Sequence, residues 1–436
     1  MADLSISVIS DQASESNQAG WWHPLDSFQG VECYGLCKEY GTAGYHQVEI
    51  IRRDADGTLT RGMCKNVDGT VAEFNNDVGH NQPSVVVDGA GYIHVFTSMH
   101  VNLLRYFRSV RPGDVSQMVD ATLDFPDVDW VWTYPITGRG PDGDVYCLMR
   151  VASRSTTGEN KRGGILYRFD VGTLRWTRYA HVAETANRAI YPDDIAINED
   201  GIHLLFQWSA YPSSAVRHVG EYGVIGTDGL MRTINNTPLP MPVTQGQLAY
   251  KPLQPGENPA ISDGLKMGIQ SAKFAFDGEG LSHITYRFRT VDDPSGTWFS
   301  KFGVYVATWS GSAWNEELIA YVPPERGNTS AALAATVQGG KRRVYFSVEY
   351  TSSGNTVAVI VLAENAGSGW AYSVIGDSAP TLLRLGTAPG DDGDVLYVSA
   401  PYVGKVCRYF IPAAYVPAVS FTEFNDLLTS LTRGVI

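Results

Sequence analysis

The side chains best suited to proton chemistry fall at two regular spacings. His80 and His100 stand 20 residues apart around GHNQPSVVVDGAGYIHVFTSMH, and Tyr134 and Arg150 stand 16 apart around TYPITGRGPDGDVYCLMR. The midpoint of each pair falls in a turn sequence, Asp88-Gly89-Ala90-Gly91 for the first and Pro141-Asp142-Gly143-Asp144 for the second. Residues equidistant from a hairpin turn face each other across an antiparallel pair. Each pair is therefore expected at the open end of its own hairpin. If the hairpins belong to repeated units, all four side chains converge on one face. Two imidazoles, a phenol and a guanidinium suit acid–base chemistry on an anionic substrate, with the histidines and the tyrosine as candidates for base and acid.

Other residues extend this set. Asn81 and Asn102 adjoin the histidines and read as a solvated, hydrogen-bonding rim. Tyr191 repeats the Tyr-Pro step of Tyr134, and Arg217 with His218 forms a third polar cluster. Trp21 and Trp22 offer aromatic faces on which a pyranose ring could stack. Arg150 ends the apolar run Val-Tyr-Cys-Leu-Met, where a charge needs a partner or a polar cavity. Asp193 and Asp194 could orient these cations or bind a metal. His94, His203 and His283 differ, because they recur at one position of a repeat, which marks a structural role.

That repeat is the element that must position the chemistry. Asp-Gly turns followed by alternating apolar residues recur at 85–98, 138–151, 196–208, 275–288, 338–350 and 389–401. Equivalent positions are His94, Tyr146, His203, His283, Tyr345 and Tyr397, separated by 52, 57, 80, 62 and 52 residues. Short strands at such a period predict an all-β, single-domain β-propeller. A length of 436 residues gives about seven blades at this period, near 20–75, 80–130, 131–182, 188–234, 267–325, 330–375 and 380–412. The N-terminal strand SISVI is expected to complete the last blade, closing the ring and covering a sheet edge. The Pro- and Gln-rich stretch 235–266 reads as an extended loop, and only FTEFNDLLTSL near the C-terminus looks helical.

The net charge of −13 argues against nucleic acid as a partner, since phosphate binding needs a basic surface. One local basic site can still hold an anionic sugar. Five cysteines cannot all pair within the chain, and the Cys33/Cys37 spacing lacks the second tight pair of a zinc site. Buried free thiols are the expectation. No apolar run is long enough for a membrane helix, so no membrane partner is expected. MADLSISVISDQ is not a signal peptide. Either the protein works in the cytoplasm or a leader has been removed.

GHNQPSVVVDGAGYIHVFTSMHVNLLRYFRS resembles the BNR-type propeller of polysaccharide lyases, and TYPITGRGPDGDVYCLMR, YPDDIAINEDGIHLLFQW and VRHVGEY continue the resemblance in order. It covers roughly residues 20–300. Val101 stands where an asparagine is common, and Gly79 and Gln82 also depart from the pattern. The resemblance implies action on an α-L-rhamnosyl-(1→4)-D-glucuronate linkage in ulvan or in the arabinogalactan of gum arabic, by an extracellular enzyme. It implies His80, His100 and Tyr134 as the acid–base system and Arg150 as the group that neutralises the uronate. No cofactor is needed for such chemistry; the resemblance allows a structural calcium ion in the central channel, though no motif encodes one. A rhamnosidase branch, hydrolysing the same linkage, and a non-catalytic sugar-binding propeller stay open. So does the choice between endo and exo attack.

Overall fold

The computed structural model describes residues 4–18, 20, 22–41, 44–75, 77, 79–153, 162–210, 217–252, 269–289, 302–321, 328–352, 355–380, 383–388, 390, 392–420, 422–424 and 426. They are almost wholly β, in antiparallel sheets built from strands consecutive in sequence, which is the organisation of propeller blades. Two compact units are present, residues 12–263 and residues 1–11 with 264–436. No described helix is long and apolar enough to cross a membrane.

The unit formed by residues 12–263 holds three sheets. The first has nine strands. In it, Leu59–Lys65 pairs in parallel with Met118–Asp120 and so joins two sets of antiparallel strands, one of them containing Ser84–Val87, Ile93–Phe96 and Tyr106–Ser109. The second sheet runs Arg175–Ala183, Gly164–Asp170, Val145–Ser153, Val131–Arg139 and His100–Leu103. The third contains Arg188–Asn198, Gly201–Ala210 and Arg217–Ile225, together with three short strands.

The other unit also has three sheets, and Ser5–Ser10 pairs with Lys405–Pro412 at the edge of one of them. Seven separate blades were expected. Among the described residues, hydrogen bonding instead gives five sheets of four to six strands and one of nine, because the parallel pair fuses what the hairpin count separates. The expected loop 235–266 is in part a sheet extension, since Pro238–Leu239 and Ala249–Lys251 are short strands and the second pairs with Arg217–Ile225. Residues 253–268 lie outside the described ones. Of FTEFNDLLTSL, residues 422–424 and 426 are described, and they are helical.

The repeat position does structural work. His94, Tyr146, His203, His283, Tyr345 and Tyr397 are all buried. Five of them sit opposite Gly138, Ala196, Ala275, Ala334 and Gly386, small residues that leave room for a ring. His94 lies between the Tyr106 hydroxyl at 2.7 Å and Asp88 at 3.1 Å. His203 lies between the Tyr222 hydroxyl at 2.7 Å and Asn198 at 2.9 Å. The cysteines form no disulfide; Cys33, Cys37, Cys64 and Cys147 are buried, and burial pushes the Cys33 thiol up to about 12.

Candidate active site

The chain leaves Ile93–Phe96, crosses to the second sheet as His100–Leu103, and returns as Tyr106–Ser109. His100 opens that excursion. His80 lies in a turn after Gly79, whose φ of +96° favours glycine. The two imidazoles stack face to face, with centroids 3.8 Å apart and planes within 5°. Their contact comes from a turn and a crossing strand rather than from the ladder of one hairpin, which ends at Ser84 opposite Phe96.

Asp77, which the sequence reading passed over, ties the pair together. Its carboxylate meets Nδ1 of His80 at 3.1 Å and Nδ1 of His100 at 2.5 Å. Partial burial raises the Asp77 carboxyl, but hydrogen bonds and charge from the two imidazoles outweigh this and hold it below the ordinary carboxylate value. An ionised carboxylate only accepts, so each Nδ1 carries its proton. That fixes the tautomer and leaves Nε2 of neutral His100 as a proton acceptor. Burial lowers the His100 pKa; Asp77 pulls it back up, and the nearby guanidinium groups of Arg150 and Arg162 lower it further, for a net value below the ordinary one. Asp77's only signal in the sequence is an acidic residue three positions before His80.

Asp77, His80 and His100 also place ligand atoms within 4.8 Å of one another. A metal bound by imidazole lies in the ring plane at about 2.0–2.1 Å. Two nearly parallel planes share no such point, so one ring would have to rotate before both could bind an ion. The geometry as it stands suits proton handling.

Tyr134 lies 6.0 Å, between ring centroids, from each histidine. Its φ is +57°, an uncommon conformation for a bulky residue, and more so before a proline. The cause is a bulge. The register of Val131–Arg139 against Val145–Ser153 shifts between Thr133 and Ile136, so Thr133 and not Tyr134 stands opposite Arg150. The expected hairpin pairing is corrected by one residue, and the bulge aims the phenol at the imidazoles. The hydroxyl of Ser84 donates to the Pro135 carbonyl at 2.6 Å and holds the bulge in place.

Arg150 is 2% exposed. Its guanidinium carbon lies 4.6 Å from the Tyr134 ring centroid and 4.5 Å from that of Tyr191, a cation against two rings whose own centroids are 5.2 Å apart. Among the described residues, its Nε and Nη1 have no hydrogen-bond partner. Buried donors left unpaired are costly.

The remaining expected residues are placed as follows. Asn102 accepts from the His100 backbone N–H at 2.9 Å, within the excursion. Asn81 is buried, not at a solvated rim; its carbonyl accepts from Cys37 and Thr97. Trp22 is 1% exposed and belongs to the buried hydrophobic core, so it presents no face to a sugar. Trp21 and the side chains of Arg217 and His218 lie outside the described residues. Asp193 is committed to Gln207 at 2.6 Å, and Asp194 to His23 at 2.9 Å, so neither has the water-exposed setting of a hydrolytic carboxylate pair.

The family profile described as BNR repeat-containing family member matches residues 43–321. No curated protein matches the chain. Among solved structures, a PL25 ulvan lyase bound to GlcA(1-4)Rha3S is 14% identical, with 97% of this chain and 98% of that chain covered and a TM-score of 0.66. The polysaccharide lyase Uly1 is 12% identical, with 94% and 99% covered and a TM-score of 0.63. At these identities the likeness is one of fold.

Proposed function

The chain belongs to the BNR repeat-containing family, and from that premise we propose that it is a polysaccharide lyase that cleaves uronate-containing glycans by β-elimination. The observation that carries this reading is the buried Arg150 guanidinium, packed against two tyrosine rings with donors unpaired among the described residues, beside a histidine whose tautomer Asp77 fixes.

In β-elimination a base removes the C5 proton of a uronate, the electron pair forms the C4–C5 double bond, and the group on O4 departs with a proton from an acid. The C5 proton is weakly acidic, so the adjacent carboxylate must first be neutralised. Arg150 does this with its guanidinium charge. Nε2 of His100 accepts the C5 proton, and the imidazolium is stabilised through Nδ1 by Asp77. Tyr134 is the acid for the leaving oxygen, next to the Arg150 cation that lowers the cost of its phenolate. His80 supports the Asp77 carboxylate from its other oxygen.

For the substrate, we propose the rhamnosyl-(1→4)-glucuronate linkage of ulvan or of gum arabic arabinogalactan, encountered outside the cell. Support comes from the anion-seeking Arg150 and from the fold shared with an ulvan lyase bound to GlcA(1-4)Rha3S. The test is ultraviolet absorbance on ulvan and on gum arabic, with products resolved by mass spectrometry. An unsaturated uronate is expected. Products carrying an added water instead would mean hydrolysis, and no product from either glycan would remove the proposal.

A further inference from the structure

Two left-handed residues and two register shifts crowd one residue of the site. Val101 has φ +61° and Tyr134 has φ +57°, both in the left-handed region. Val101 is the extra residue where the register of His100–Leu103 against Val131–Arg139 shifts, since Trp132 faces Asn102 and Thr133 faces His100. Tyr134 lies in the second shift, immediately after Thr133. Thr133 is thus the regular residue between two bulges, in register with His100 on one side and Arg150 on the other. It is fully buried, and its Oγ1 accepts from the Val101 backbone N–H at 2.8 Å.

We propose that Thr133 is a positioning residue, whose hydroxyl holds Val101 in its left-handed conformation and so fixes the His100 imidazole on Asp77 in line with Arg150. This deepens the lyase reading and rests on it for its catalytic consequence. The side-chain bond from Asn102 to the His100 N–H is local and travels with the strand. The bond to Thr133 crosses to the neighbouring strand and supplements the backbone pairing of His100–Leu103 with Val131–Arg139 at the one residue that the register shift leaves out. A β-branched residue resists the left-handed region more than asparagine or glycine does, so Val101 needs that anchor. A 1 Å displacement of a reacting group can cost about 10²-fold in rate.

The test compares Thr133→Val, Thr133→Ser, Val101→Gly and the double variant Thr133→Val/Val101→Gly. Two readouts are taken: kcat and KM on ulvan, and the histidine ring nitrogen resonances, which report the Nδ1–H tautomer of His100 without any substrate. Thr133→Val is expected to lower kcat at least about 10-fold with KM within about twofold, and to shift the His100 resonance away from its Asp77-bonded position. Thr133→Ser keeps both near the parent values. The double variant regains most of the loss, because glycine adopts the left-handed conformation without the anchor. A Thr133→Val protein with parent kcat and an unshifted His100 resonance overturns the proposal, as does a double variant no better than the single one. If the parent protein acts on neither ulvan nor gum arabic, the lyase reading fails while the resonance still decides the role of Thr133.

Discussion

His80 and His100 stack at 3.8 Å and share one carboxylate, each presenting Nδ1 to a different oxygen of Asp77. Two imidazolium ions cannot coexist cheaply at that distance, so the second proton binds to the pair at lower pH than the first. Histidine resonances followed through an acid titration should show two separate steps for these residues. A single shared step would mean that the rings part in solution.

The rate should follow the same linkage. His100 acts as a base only when neutral, and its pKa in the folded protein lies below the ordinary value of about 6.5. Activity is therefore held as pH falls past that value and is lost only as pH falls through the lowered pKa. A kcat/KM profile whose acid limb sits above about 6.5 would contradict the assignment of His100 as base.

Asp77→Asn keeps the shape and removes the charge. An amide can donate to Nδ1, which moves the imidazole proton to Nε2 and blocks the base. The expected loss is at least about 10²-fold in kcat, with substrate binding largely kept. Loss in KM alone would place Asp77 in binding rather than in proton transfer.

Arg150 should be a residue held at the expense of stability. Its buried guanidinium leaves Nε and Nη1 unpaired among the described residues. Arg150→Met retains volume and removes a desolvated cation, a change that is often neutral or stabilising. The variant should lose at least about 10²-fold in kcat/KM while its thermal midpoint holds or rises. A marked fall in the midpoint would mean that Arg150 is a structural cation.

The quartet was legible in the sequence because turn chemistry fixes hairpin midpoints, and His80, His100, Tyr134 and Arg150 do meet. Their route to contact was not legible. A bulge at Tyr134 and another at Val101 are decided by tertiary pairing, which hairpin symmetry cannot encode. Asp77 was missed because nothing in its spacing announces a shared carboxylate. Trp22 and Asn81 illustrate the converse: their types suit a sugar site, yet both are buried, and only packing distinguishes core from rim. Blade count failed for a similar reason, since the hairpin repeat carries no sign of the parallel pair between Leu59–Lys65 and Met118–Asp120.

The repeat-position histidines should make the fold acid-sensitive. His203 is 4% exposed, and burial pushes its pKa down to about 4, with only Asp200 pulling upward. A depressed pKa means that the unfolded chain binds more protons than the folded one below about 6.5. The stability linked to neutral His203 is thus fully present above that pH and is lost progressively as pH falls from about 6.5 to about 4, by about 2 kcal/mol at pH 5 and about 3 kcal/mol below pH 4. Tyrosine already occupies the equivalent position at Tyr146, Tyr345 and Tyr397, and Ala196 opposite leaves space for it. Denaturant unfolding of the parent and of His203→Tyr at pH 7 and pH 5 checks the argument. The gap between the two pH values should shrink by about 2 kcal/mol in the variant, and an unchanged gap would show that His203 is not the group that titrates.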